Sequence, residues 1–302
     1  MRLSTAVKLT LALIVTATLG IVAHAASRPK AINAAAYLGS YTWRVSDDWF
    51  GGLSALSISA DGAAMTILSD SATLATAQIR RDQGQISGID ITSVHQLRAS
   101  TGKILRGPIS DSEGLAITPD GNIYVSFEGI SRVVRHRDAS SRAEVLPRPQ
   151  AFRTLPRNKA LESLASDARG HLYTVPERAF TQNGQIPVWQ WNGQRWSIPF
   201  SLPPKGDFYP VSADIGPDGR FYLLERDYGF FGFSSRLRRW DFTQDSATNE
   251  QTLLQTSAGN HDNLEGLSVW RDQNGQLRAT MVSDDNFIAL QRTELVEYAL
   301  PD

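Results

Sequence analysis

The chain has 302 residues, 41% hydrophobic and 20% charged, the composition of a globular protein with a sizeable core. A formal net charge of −1 offers no basic footprint for nucleic acid or for an anionic membrane surface. The absence of cysteine excludes disulfides, thiolate nucleophiles and cysteine-ligated zinc or iron–sulfur sites.

At the N-terminus, Arg2 and Lys8 precede an apolar run over residues 9–22, and Ala23-His24-Ala25 fits a small-x-small cleavage site. This is the pattern of a secretory signal peptide over residues 1–26, too short in its apolar part to span a bilayer comfortably. Its removal leaves 28 basic residues against 31 acidic ones, a soluble product in the bacterial periplasm or outside the cell, and no membrane association. Neither an adjacent arginine pair for twin-arginine export nor a lipoprotein cysteine is present. Residues 27–302 are then expected as a single domain, with 27–33 a linker and 34–43 a strand carrying aromatic residues on one face.

A repeated unit follows. Its clearest copy is DSEGLAITPDGNIYVSFE (residues 111–128): an alternating run, a Pro-Asp-Gly turn in which Gly121 supplies φ > 0, and a second alternating run over Ile123, Val125 and Phe127. Weaker copies cover residues 53–70, 161–177, 210–226 and 264–285. Anchored on the position of Glu113, they start at Ser54, Glu113, Glu162, Val211 and Glu265, intervals of 59, 49, 49 and 54 residues. That is the length of one four-stranded propeller blade, and a single unit of this kind cannot bury its apolar face alone. Further strands are expected at 73–80, 86–97, 132–137, 143–146, 187–191, 195–199, 236–242 and 252–256. Only 293–300 follows the fifth copy, so the strand at 34–43 is expected to complete the last blade and close the ring. The fold expected is an all-β propeller of five blades, with six the alternative because the 59-residue interval has room for a degenerate unit.

The hairpin places the start of each first strand and the end of each second strand at the same mouth of the channel. The starts carry Glu113, Glu162 and Glu265, with Asp262 and Asn263 just before the last; the ends carry Asp70, Glu128, Glu177, Glu225, Asp284 and Asp285. Carboxylates this close raise one another's pKa unless compensated. One compensator is a hard divalent cation such as Ca²⁺, which takes six to eight oxygen ligands. The other is internal pairing with Arg132, Lys159, Arg178 and Arg226, which would make the ring structural. The aspartates of the hairpin turns are turn chemistry. His261 is a lone loop histidine, and Phe230-Phe231 either pack their loop or form a substrate wall. There is no G-x-S-x-G elbow, Walker loop, G-x-G-x-x-G or HExxH, and Ser112 and Ser163 have no base evident in the sequence.

The ordered set FGGLSAL (residues 50–56), DSEGLAITPDG (111–121), LESLA (161–165), VSADIGPDGRFYLLER (211–226), SRLRRWD (235–241), DNLEGLSV (262–269) and VSDDNF (282–287) with Gln291-Arg292-Thr293 resembles the phytase-like family, described as having esterase-like activity of phytase. The resemblance spans roughly residues 40–300 and implies an exported bacterial propeller that hydrolyses a phosphate or carboxylic ester. The chain departs from the family pattern at Glu162-Ser163, where Glu-Gly is usual. Calcium-dependent propeller phytases and lactonase-like propellers are analogies for the acidic mouth.

Two functions are carried forward. One is a metal-assisted hydrolase of a small ester or phosphoester. In it Glu113, Glu162, Glu265 and Asp284 are catalytic candidates, and Glu113, Glu162, Glu265, Asp285, Glu128, Glu177 and Glu225 are ligand candidates for Ca²⁺. Arg226, Lys159 and Asn263 are the candidates for holding substrate. The other is a non-catalytic periplasmic binding or scaffolding propeller whose acids are salt-bridged or hold one structural Ca²⁺.

Overall fold

The computed structural model describes residues 32–302 except 157, 244, 289 and 290; the leader read in residues 1–26 lies outside the described residues. Two strands come first, β1 (Ile32–Asn33) and β2 (Ala36–Thr42). The first blade is β3 (Leu53–Ile58), β4 (Ala64–Ser69), β5 (Thr73–Asp82) and β6 (Gln85–Gln96). The second is β7 (Ser112–Ile117), β8 (Ile123–Phe127), β9 (Arg132–His136) and β10 (Glu144–Val145). The third is β11 (Ser163–Ser166), β12 (Leu172–Val175), β13 (Ile186–Trp191) and β14 (Trp196–Leu202). The fourth is β15 (Tyr209–Ile215), β16 (Phe221–Gly229), β17 (Gly232–Phe242) and β18 (Ala247–Gln255). The fifth is β19 (Asn263–Arg271), β20 (Leu277–Asp284) and β21 (Glu294–Ala299), with β2 as its outer strand. The strands within each sheet pair antiparallel, and the inner strands β3, β7, β11, β15 and β19 contact one another in turn, β19 returning to β3.

The structure is thus a five-bladed β-propeller whose ring is closed by the N-terminal strand. Tyr37 pairs with Tyr298 and Thr42 with Glu294 across that seam. Covering the open edge of β21 leaves no unpaired inner strand in the fifth blade. Part of the expected linker differs: Ile32 and Asn33 pair with Gln255 and Leu254, adding a fifth strand to the fourth blade. The main chain there has the free edge of β18 within reach, which propensity within two residues does not reveal.

Five apolar clusters each lie between two successive blades. Strand β16 explains how. Phe221 and Leu223 point into the cluster shared with the third blade, while Tyr222 and Leu224 point into the one shared with the fifth. Period-2 alternation here separates two interfaces rather than core from water. Full burial of one such side chain contributes roughly 1.5–3 kcal/mol, so each blade holds only while both neighbours stand. Trp270 of the fifth blade lies over Gly62 of the first, where a Cβ would come within 2.2 Å of the indole. Arg81 and Arg278 cover the same ring and both bind Glu297.

The far end of the channel is stapled by polar groups between blades. Ser268 Oγ accepts the N–H of Ile58 at 3.0 Å, and Asp214 accepts that of Val269 at 2.7 Å. Burial pushes the Asp214 carboxyl up to about 7.

Candidate functional site

The opposite mouth carries the acids, and backbone register decides which side chains reach it. The N–H groups of Asp70, Glu128 and Glu177 donate to the carbonyls of Gly52, Asp111 and Ala160 at 2.7, 2.9 and 3.0 Å. In the remaining blades Tyr209 pairs with Arg226 and Asn263 with Asp284. Five equivalent positions therefore surround the mouth: Asp70, Glu128, Glu177, Arg226 and Asp284.

A second tier stands next to it, on the residues used to align the repeats. In four blades a β-bulge falls at that residue, with the pairing shifting around Ser54, Glu113-Gly114, Val211 and Glu265. A bulge turns an extra residue out of the ladder and re-aims it, at Glu113 and Glu265 toward the channel, whereas Val211 stays in the cluster between the fourth and fifth blades. The glycine that follows the acid serves close approach. A Cβ on Gly114 would lie 2.7 Å from the Leu164 nitrogen of the third blade, and one on Gly266 would lie 3.1 Å from Ala55 Cα of the first. In the third blade, where serine takes this place, Ser163 is buried and its hydroxyl accepts the N–H of Val175 at 3.0 Å.

Two overlapping groups of carboxylates result. Oxygens of Asp111, Glu113 and Glu128 lie within 4.8 Å of one another, as do those of Glu128, Glu162 and Glu177, and Glu128 belongs to both. Glu128, Glu162 and Glu177 are each less than a tenth exposed. Burial first, then the like charges of Glu265 and Glu128, holds the Glu113 carboxyl well above its ordinary range. Glu113 and Glu265 come from blades that are not ring neighbours, so the two face each other across the pore. Glu162 is likewise raised by burial and by Glu113 and Glu128, and it shares a hydrogen bond with Glu128. Asp284 is pushed up to about 8 by burial and by Glu265, and Asp70 to about 6 by burial and by Asp111. An all-carboxylate donor set of this kind suits a hard oxygen-seeking cation.

The expected residues separate on this frame. Glu113, Glu128, Glu162 and Glu177 come together as above. Glu265 and Asp284 join them across the pore, but Glu265 is already ion-paired with Arg226. Asn263 buttresses that pair, accepting from Arg226 at 2.6 Å and donating to Glu265 at 2.8 Å. These contacts place Arg226 and Asn263, expected to hold substrate, in the wall of the channel. Lys159 sits half-buried beside the third blade's hairpin, its carbonyl accepting the N–H of Arg178 at 3.3 Å. Asp285 braces its loop instead of entering the cluster: it accepts from the N–H groups of Gly52 and Phe287 and from the Thr293 hydroxyl, each at 3.1 Å.

Glu225 is a correction. It pairs with Pro210 in the ladder, one residue before the mouth position, so its side chain points to the opposite face of the strand. There it is fully buried between Arg236, at 2.6 Å, and Arg238. The signal was available in the sequence. The spacing from Glu113 to Glu128 and from Glu162 to Glu177 is 15 residues, and the same step from Val211 lands on Arg226. Asp111 was missed as a ligand candidate although it stands two residues before Glu113, on the same side of an extended chain. His261 is buried, not exposed, its Nε2 2.7 Å from the Tyr298 hydroxyl. Ser112 is a buried staple, donating to the Ser69 carbonyl at 2.6 Å.

The raised carboxyls carry a pH consequence. The folded protein binds protons on Asp70, Asp214 and Asp284 that the unfolded chain releases near pH 4, so stability without bound cation is greatest in acid and falls as pH rises toward about 8. The melting temperature of the chelated protein is expected to drop by roughly 5 °C or more between pH 5 and pH 8. A flat or rising profile by calorimetry would contradict the burial described for these groups.

In fold the chain is similar to the catalytic domain of a GH62 α-L-arabinofuranosidase from Coprinopsis cinerea, with a TM-score of 0.54, 13% identity, and 89% of this chain and 98% of that one covered. It is also similar to an α-L-arabinofuranosidase from Podospora anserina solved with cellotriose, with a TM-score of 0.53, 12% identity, and coverage of 90% and 98%. At such identities the likeness concerns the propeller alone. Comparison with curated proteins finds no significant match. The sequence itself, over residues 48–287 and hence through all five blades, matches the phytase-like family, described by its esterase-like activity of phytase, and the chain belongs to that family.

Proposed function

We propose that the chain is an exported hydrolase of esters or phosphoesters that works with a divalent cation, Ca²⁺, at the acidic channel mouth. The observation that carries this reading is the pair of carboxylate groups sharing Glu128, contributed by two adjacent blades and held at ligand spacing. Asp111, Glu113 and Glu128 would hold the cation. When bound, it would polarise the scissile carbonyl or phosphoryl oxygen and acidify a water.

The chain's own residues supply proton handling. Glu162 keeps a proton because burial and the charges of Glu113 and Glu128 oppose its ionisation, and it lies in hydrogen-bond contact with Glu128. Burial raises both carboxyls and raises Glu162 further, which makes Glu162 the acid and Glu128 the base of the pair. The ionised partner accepts the proton of the attacking water, whose oxygen adds to the acyl carbon or phosphorus. As the bond to the leaving oxygen breaks, Glu162 returns a proton to it. Asp284, protonated below about pH 8 and facing the pore, is a second proton carrier. Export rests on the leader in residues 1–26, and no helix of the described residues is long and apolar enough to cross a membrane.

The purified protein is expected to turn over at least one of nitrophenyl phosphate, phytate and short-chain nitrophenyl esters, with activity lost in chelator and restored by Ca²⁺. The ion pairs Arg226–Glu265 and Arg178–Glu177 favour the second reading, a binding propeller with structural acids. In that case chelator lowers the melting temperature while every substrate stays intact.

A further inference from the structure

Among the described residues, thirteen large hydrophobic side chains are exposed, and their distribution is uneven. Eight lie in segments that open onto the acidic mouth, among them Ile109, Ile130, Phe180, Phe230 and Phe287, and Ile104 lies in a loop bridged through Arg98 to Arg142. The other four, Tyr37, Val94, Val145 and Ile198, are on outermost strands. None is in the hairpin turns at the far end of the channel. Phe230 is 87% exposed at the tip of the β16–β17 hairpin, and Phe287 is 64% exposed. Phe287 packs against Gly51 beside the first blade's inner strand, where a Cβ would meet its ring at 2.6 Å. Apolar surface gathered at one functional opening marks a binding face.

Within this collar a cleft of about 620 Å³ leads directly to the carboxylates. Asp70 and Asp111 line it together with Ser71, Ser110 and Asn158, and Gly107, Pro108, Gly129 and Ile130 supply its apolar surface. That volume suits a small organic molecule. The cleft is pre-built. Arg132, buried over the Phe127 ring, donates to the carbonyls of Ile130 and Ile109 at 3.1 and 2.5 Å and so ties the two wall loops together. Gly129 lets those loops touch, since a Cβ there would lie 2.3 Å from the Pro108 carbonyl oxygen.

Charge then selects the occupant. The acids of the mouth outnumber its arginines, and those arginines are engaged: Arg226 with Glu265, Arg178 with Glu177, Arg132 with loop carbonyls. With these guanidinium groups engaged, the mouth keeps few cationic groups to receive the several charges of a polyphosphate.

We infer that this cleft seats the apolar acyl or aryl arm of an uncharged carboxylic ester, with the ester group at the channel acids, and that the site discriminates against phosphate esters. This inference rests on the hydrolytic reading above and narrows it to one substrate class.

The test uses the purified chain in Ca²⁺ with nitrophenyl acetate, butyrate, hexanoate and octanoate, nitrophenyl phosphate and phytate. Binding of heptanophenone, a ketone that cannot be hydrolysed, is measured in parallel by calorimetry. A buried methylene is worth up to roughly fourfold, so partial burial predicts about a tenfold rise in kcat/KM from acetate to hexanoate. Ile130→Asp should flatten that rise and weaken the ketone, with Ile130→Ala intermediate and both melting temperatures near that of the parent. A flat chain-length profile, or phosphate turnover exceeding that of every carboxylic ester, overturns the inference. If no ester reacts, the hydrolytic reading fails by itself. Ketone binding lost in Ile130→Asp then still supports the apolar cleft, and ketone binding absent or indifferent to the substitution overturns it.

Discussion

Glu128→Gln is expected to weaken Ca²⁺ binding on the order of 100-fold and to abolish cation-dependent turnover, because Glu128 is the one side chain common to both carboxylate groups. The amide keeps the shape and can still accept the N–H of Ala160, now at 3.0 Å from Glu128 Oε1, so the backbone between the second and third blades should persist. Glu144→Gln, at an exposed ion pair with Arg135, is the matched control and should leave affinity unchanged. Calorimetric titration measures both. In the parent protein the same titration should release protons, since Glu113 is held protonated by burial and by its neighbours and must ionise to serve as a ligand. Affinity should therefore tighten between pH 5 and pH 8, and the apparent heat should depend on the buffer's own ionisation enthalpy. Undiminished affinity in Glu128→Gln would remove the site from this mouth.

The second large effect concerns stability and lies one residue away from the ring. Glu225→Gln is expected to destabilise the protein by about 3–5 kcal/mol, because it removes the buried carboxylate that two buried guanidinium groups share. Arg236 and Arg238 are both buried against Glu225, and Arg238 spends its remaining donors on the Pro203 carbonyl and Glu250. A fall in melting temperature of roughly 10 °C should follow. Ca²⁺ affinity should stay as in the parent. That combination, a large thermal loss with intact metal binding, is what separates Glu225 from Glu128. Were Glu225→Gln instead to lose Ca²⁺ and keep its stability, the register assigned to the fourth blade would be wrong.

These two glutamates show how the site depends on a single step of register. One follows a second strand, the other lies within one, and both were expected at the mouth. In β8 the position that pairs with Asp111 is Glu128; in β16 the position that pairs with Tyr209 is Arg226, and Glu225 faces the other way. Because side chains alternate along a strand, one residue exchanges the channel for a blade interface. The arginine that results is what pairs with Glu265 and fills the place of a further carboxylate.

What the amino-acid sequence determined by itself was the periodic part of the molecule. Five hairpins at near-regular intervals, each with Asp-Gly or a related turn between apolar runs, favour five blades over six, and a missing last strand calls for one from the N-terminus. The signature around Glu113, Glu162 and Glu265 also marks the family. Local turn chemistry and alternation are sufficient for this because they act within about twenty residues.

Only the tertiary structure decided which acids meet. Bulges at Glu113 and Glu265 turn these side chains into the pore, and Asp111 joins them through backbone pairing with Glu128. It also decided that Phe230, Phe287 and Ile130 stand exposed around the acids, while His261 is buried against Tyr298. Each of these outcomes depends on contacts between residues far apart in the chain, on which blade lies next to which, and on a one-residue register that hydrophobic pattern leaves free when both faces of a strand are buried.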